Sequence, residues 1–119
     1  MYACIEDDIV IQPFSTEFIG TGLAIQPPHE YFGALFPRSG LACKQSLRLA
    51  NCVGVCDEDY TGEYIVALHN DSHVVRRIKN GDRIAQLIFL PCLLDDTFDE
   101  DSELEKTDRG SGGFGSTGK

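Results

Sequence analysis

Residues 54–63 read Gly-Val-Cys-Asp-Glu-Asp-Tyr-Thr-Gly-Glu, with three acids and a tyrosine ahead of Gly62, and stand between an apolar run that ends at Val53 and the alternating run Tyr64-Ile65-Val66-Ala67-Leu68. Strand-forming residues on both sides of a short connection closed by glycine predict a β-hairpin with charge at its tip. On this stretch alone, Asp57, Asp59 and Gly62 are fully accounted for as turn formers, because Asp bonds its own backbone and Gly adopts turn conformations freely. A chemical role for the acids needs agreement from elsewhere in the chain.

Short runs rich in β-branched and aromatic residues recur on either side: 9–11, 18–19, 22–25, 31–36, 47–55, 63–68, 73–78 and 83–90. Turn clusters at Gln26-Pro27-Pro28, Pro37-Arg38-Ser39-Gly40, His69-Asn70-Asp71-Ser72 and Asn80-Gly81-Asp82 separate them. No window carries a 3.6-residue apolar stripe over three turns. The spacing predicts an all-β sandwich or barrel.

Formal charge is −9, and residues 95–108 hold eight acids and one lysine, which leaves −2 for everything else. That run reads as a solvated linker, and nucleic-acid binding, which needs a basic face, is disfavoured. A pocket drawn from Arg38, Arg83, Arg109 and Lys119 would suit a polyphosphate. Five cysteines with no CxxC pair argue against a disulfide framework and a zinc site, and predict reduced, mostly core thiols. Neither a signal peptide nor an apolar run near the ~20 residues of a membrane span is present, so no membrane role is expected and cytoplasm is the default location.

Three further segments are PRSGLA at 37–42, NGDRIAQL at 80–87 and RGSGGFGSTGK at 109–119. With 54–63 in its place, the four closely resemble, in order, the second to fifth signature motifs of the trimeric dUTP pyrophosphatases (dUTPases). The family's first motif, an Ala-Gly-Tyr-Asp-Leu-like segment after an N-terminal strand, is reduced here to Tyr2-Ala3, so its Asp has no counterpart. The C-terminal segment also fits GxxxxGK, but a phosphate loop is rejected because no Ser/Thr or helix follows and an acidic stretch precedes it.

The resemblance implies a homotrimer of distorted jelly rolls, β-barrel-like sandwiches with one helical turn after Ser39. It divides the chain into a domain at 1–94, an acidic linker at 95–108 and a flexible Gly-rich arm at 109–119 that closes over a site shared between subunits. The implied reaction is hydrolysis of dUTP to dUMP and pyrophosphate, with Mg²⁺ held mainly through substrate phosphates and no protein metal ligand. Asp57 would hold the attacking water, while Tyr60 would pack under the deoxyribose. Asn51, Val53, Gly54 and Val55 would read uracil, and Arg38, Ser39, Gly40 and Gln86 would meet the phosphate chain. Arg109 would fork onto the γ-phosphate, Phe114 would stack on uracil, and Gly115, Ser116 and Thr117 would donate to the outer phosphates. Asp59 is expected to be structural, and Asp82 and Arg83 to be ionic partners between strands or subunits. The reduced first motif supports an alternative, a catalytically impaired or regulatory dUTP-binding relative. A deoxycytidine nucleotide deaminase on the same fold is a third reading, opposed by the complete 54–63 stretch and the Gly-rich arm.

Overall fold

A computed structural model of the chain describes residues 1–93, 106–108 and 111. Among them lie eight strands and one helix: β1 Ile9–Ile11, β2 Thr16–Ile19, β3 Tyr31–Pro37, α1 Ser39–Gln45, β4 Leu47–Leu49, β5 Gly54–Cys56, β6 Val66–Asn70, β7 Arg76–Ile78 and β8 Ala85–Pro91. They form an all-β jelly-roll sandwich of three small antiparallel sheets, ordered β1-β7, β2-β6-β4 and β5-β3-β8, that do not close into a barrel. Among the described residues no helix is long and apolar enough to cross a membrane.

Alternation decides which side chains face inward. From Tyr64 through β6, Tyr64, Val66, Leu68 and Asn70 are all buried, while Ile65 between them is 48% exposed. With Ile11, Ile19, Leu35, Leu47, Leu49, Ile78 and Ile84 they make one core. Asn70 is the polar hub of that core. Its amide donates to the carbonyls of Ile11, Gln12 and Val74, and its oxygen accepts from the N–H and hydroxyl of Ser72. The side chain thus ties the end of β1 and the β1–β2 connection to the β6–β7 connection, and each of its polar atoms is satisfied.

Three expectations are corrected. The strands flanking 57–65 do not pair with each other: β5 pairs with β3, whereas β6 lies between β2 and β4. The acids therefore sit on a loop that crosses between two sheets, and the run at 47–55 breaks at a turn over residues 50–53, where Cys52 takes φ 63°. Residues 22–25 form no strand; the Leu23 carbonyl accepts from the Tyr64 N–H at 2.7 Å and the Gly22 N–H donates to the Glu63 carboxylate at 2.7 Å, which tie this stretch down without a ladder. The thiols are not mostly in the core: Cys56 is buried and Cys92 half-buried, but Cys4, Cys43 and Cys52 are exposed.

Sheet β5-β3-β8 has two apolar faces. Leu35, Cys56 and Leu87 point to the core, while the opposite face carries Phe32, Ala34 and Phe36 of β3, Val55 of β5 and Ile88 and Leu90 of β8, paired as Ala34 with Val55 and Ile88, and Phe32 with Leu90. Val55 is 60% exposed and Ile88 49%.

Candidate active site

The acidic loop borders a cleft of about 210 Å³ lined by Leu35, Asn51, Gly54, Val55, Cys56, Asp57, Tyr60, Glu63, Tyr64 and Ile65. Two runs of chain build it. The turn at 50–53 brings Asn51 beside Gly54, where a Cβ would lie 3.3 Å from the Asn51 amide nitrogen and 3.1 Å from Leu35 Cβ, so the absent side chain is what opens this wall. β5 is the edge strand of its sheet, and one row of its main-chain N–H and C=O groups faces away from β3. Those groups are the means by which a base edge could be read.

The other wall is the loop itself. The Tyr60 N–H donates to the Asp57 carbonyl in a turn, and the Tyr60 hydroxyl donates to the Glu63 carbonyl at 2.9 Å. One Glu63 carboxylate oxygen accepts from the N–H groups of Thr21 and Gly22, at 2.9 and 2.7 Å. Behind the loop, the Tyr64 hydroxyl is buried and makes no hydrogen bond among the described residues. Burial first, and then the charge of the nearby Cys56, pushes the tyrosine up; burial first, together with the Asp57 charge, pushes the Cys56 thiol up. Both groups stay protonated beside Asp57 at neutral pH.

Asp57 also borders a second hollow, of about 410 Å³, with Gln26, His29, Tyr31, Phe32, Glu58, Asp59 and Cys92. Here His29 Nδ1 meets Glu58 Oε1 at 2.8 Å, and the Glu30 N–H donates to the other Glu58 oxygen at 3.1 Å. The hydrogen bond and charge of Glu58 raise the His29 pKa, and the same bond lowers that of Glu58. Glu58, unremarked in the sequence reading, is thus the tie between this loop and the β2–β3 connection.

The phosphate-binding candidates lie elsewhere. Arg38, Gly40, Leu41, Lys44, Gln45, Arg77, Ile78, Asp82, Arg83 and Ile84 line a cleft of about 400 Å³. Four cations and one acid make it the basic pocket expected around Arg38 and Arg83. Lys44 and Arg77 were missed; Lys44 could have been found from the helical turn after Ser39, which carries it to the same side. Gln86 sits opposite Phe36 in the β3–β8 ladder, and its side-chain amide donates to the Pro37 carbonyl at 3.1 Å, joining the segments at 37–42 and 80–87. Asp82 makes no ion pair among the described residues; its carboxylate accepts from the Lys79 N–H at 2.8 Å and closes the turn before β8. Arg109, Phe114, Gly115, Ser116 and Thr117 lie outside the described residues.

Fold and clefts together define a β-sandwich with a nucleoside-sized cleft under an acidic loop and a separate cationic cleft fit for phosphates. The chain belongs to the dUTPase family, whose model matches residues 3–118. The deoxyuridine 5'-triphosphate nucleotidohydrolase of Desulfitobacterium hafniense is 48% identical over 119 residues, covering 99% of this chain and 78% of that protein. The protein of the same name from Hydrogenobaculum sp. is 44% identical over 97% of this chain and 79% of its own length. Among solved structures, a mutant Staphylococcus bacteriophage 80alpha dUTPase with dUpNHpp superposes with a TM-score of 0.85 at 25% identity, covering 99% of this chain and 83% of that one. The EIAV dUTPase gives 0.74 at 31% identity, with 87% and 84% covered.

Proposed function

We propose that this dUTPase-family chain, which hydrolyses dUTP to dUMP and pyrophosphate, does so by in-line attack of a water held by Asp57 on the α-phosphorus, in sites assembled between copies of the chain. The alternative of an impaired or regulatory relative is not favoured, since relatives named nucleotidohydrolases align with it over nearly its whole length.

One observation carries the divided site. Asp57 follows β5 opposite the Phe32 end of β3, and Ser39 follows the Pro37 end, so the strand separates them by five residues or more, about 17 Å at 3.3 Å per residue. The two clefts share no lining residue. A base, its water and the phosphorus must approach to about 3–3.5 Å while the same phosphate chain is held by Ser39, Arg38 and Gln86. One chain therefore offers half a site at each end. Acids at one end and cations at the other suit head-to-tail contact, which closes into a ring when the rotation permits. The outward apolar face of β5-β3-β8 gives such a ring a surface to bury, and a trimer is the ring the family resemblance implies.

Within a completed site, the nucleoside enters the cleft of Asn51, Gly54 and Tyr60. The turn residue Val53 and the free edge of β5 at Gly54 and Val55 read the uracil edge, where a cytosine would leave buried groups unpaired at about 1–3 kcal/mol each. Tyr60 underlies the sugar and excludes a ribose 2′-hydroxyl. The Asp57 carboxylate orients the water and takes its proton. Ser39, the N–H groups of Ser39 and Gly40, Arg38 and Gln86 stabilise charge developing on the phosphates. Arg109, Phe114, Gly115, Ser116 and Thr117 of the arm complete the enclosure.

Mg²⁺ fits this donor set as a passenger on the substrate. Among the described residues no three of His, Cys, Asp and Glu converge into a ligand cluster, and Mg²⁺ keeps several waters and favours phosphate oxygens over an all-protein cage. When bound it would neutralise phosphate charge; Asp57 would face its waters rather than the ion. The test is Asp57→Asn: calorimetric dUTP affinity retained and pyrophosphate release lost. Turnover within threefold of the unmodified chain would exclude Asp57 as the base.

A further inference from the structure

We infer that Gly62 is a positioning residue for sugar discrimination, acting through the ring of Tyr60. The inference rests on the reading of Tyr60 as the floor beneath the deoxyribose. Gly62 does not take a positive φ, unlike Gly22 and Gly81, so its backbone places no demand for glycine. Space does. A Cβ at residue 62 would stand 2.6 Å from the Tyr60 hydroxyl oxygen, 2.7 Å from Cζ and 3.0 Å from Cε2, all closer than carbon atoms pack.

The tip of an exposed tyrosine would normally swing clear of one methyl group. This one is held at two points. Its hydroxyl donates to the Glu63 carbonyl, and the Glu63 side chain is itself held by the Thr21 and Gly22 N–H groups. Its other neighbour is the Tyr64 ring, with centroids 6.1 Å apart and planes tilted by 32°, and Tyr64 is 1% exposed and fixed in the core. Tyr60 remains 43% exposed on the side of Asn51 and Asp57, where substrate enters. A side chain at residue 62 has to drive the ring off this seat into that space. The displaced ring no longer fills the place of a 2′-hydroxyl, which reduces the preference for dUTP over UTP.

The experiment is a double-mutant cycle on the full chain with Gly62→Ala and Tyr60→Leu, reading kcat and KM for dUTP and UTP, thermal stability, and near-UV circular dichroism. The chain has four tyrosines and no tryptophan, so the tyrosine band reports the seat directly. Gly62→Ala is expected to lower the dUTP-to-UTP ratio of kcat/KM by about tenfold or more, chiefly through a lower KM for UTP, and to alter the tyrosine band with the melting temperature little changed. In the Tyr60→Leu background it should change the ratio by no more than about twofold, because the atoms it collides with are gone. If Gly62→Ala alone melts early, the cycle still decides: a deficit that vanishes with Tyr60→Leu supports the seat, and one that persists overturns it. A Gly62→Ala ratio within about twofold of the parent, where Tyr60→Leu lowers it strongly, overturns the role of Gly62. If Tyr60→Leu itself leaves the ratio unchanged, the assignment of Tyr60 to the sugar is what has failed.

Discussion

Two inactive variants, mixed, should restore activity. Asp57→Asn removes the proposed base, at an expected cost of about 10²–10⁴ in rate, and Ser39→Ala removes a proposed phosphate donor, at about 10²–10³ if it acts in the transition state. The lesions lie at opposite ends of β3, about 17 Å of strand apart, and Arg38 and Gly40, the neighbours of Ser39, line a cleft that Asp57 does not border. If each site takes its carboxylate from one copy and its serine from another, random reassembly of equal amounts gives roughly a quarter of sites with both groups intact. If one chain supplies both groups, every site keeps one lesion. The assay is pyrophosphate release after the variants are mixed, dissociated in mild denaturant and returned to buffer, against each variant treated alone. Recovery near a quarter of the parent activity supports the divided site. Recovery no greater than the sum of the two variants would refute it and would require the loop to fold back on its own chain.

Other outcomes follow from single contacts. Asn70→Asp sets a carboxylate against the carbonyls of Ile11, Gln12 and Val74 and should cost about 3 kcal/mol or more in chemical denaturation; a loss under 1 kcal/mol would mean the hub is dispensable. Gly33→Ala forces a Cβ to within 3.2 Å of both Leu87 Cδ1 and the Tyr64 hydroxyl, and should destabilise by about 1–3 kcal/mol. For the exposed His29–Glu58 pair, the raised His29 pKa places its contribution below the histidine's ordinary 6.5, lost as pH rises through the raised value. The lowered Glu58 pKa places the carboxylate's contribution above its ordinary 4.5, lost as pH falls through the lowered value. The contact is complete between those limits, and in Glu58→Gln the NMR titration of His29 should fall back toward 6.5. Phe114→Ala should weaken kcat/KM for dUTP with no change in melting temperature; an early melt would assign Phe114 to the core instead.

The strand content and the inward set were legible because alternation is a local signal: Tyr64, Val66 and Leu68 could be assigned to the core from spacing alone, and they are buried. Pairing is not local. The sequence places β5 and β6 next to each other across a glycine-closed loop, and nothing in those residues reports that each has a better partner, β3 for one and β2 and β4 for the other. Asn70 stood in a turn cluster of polar residues, where a buried hub and a solvated turn have the same composition. Asp57, Tyr60 and Asn51 were named from motif resemblance, and the fold brings them to one cleft. That Arg38 and Gly40 would fall in another cleft depends on where β3 begins and ends, which only the ladder reveals.

The opposed charges at the ends of β3 and the apolar outer face of its sheet make dilution an inhibitor. If the site is divided between copies as proposed, a lone chain is inert below the concentration at which copies assemble, whatever the substrate supply. Specific activity should then rise with enzyme concentration before reaching a plateau, so that catalysis is switched on by the abundance of the protein itself.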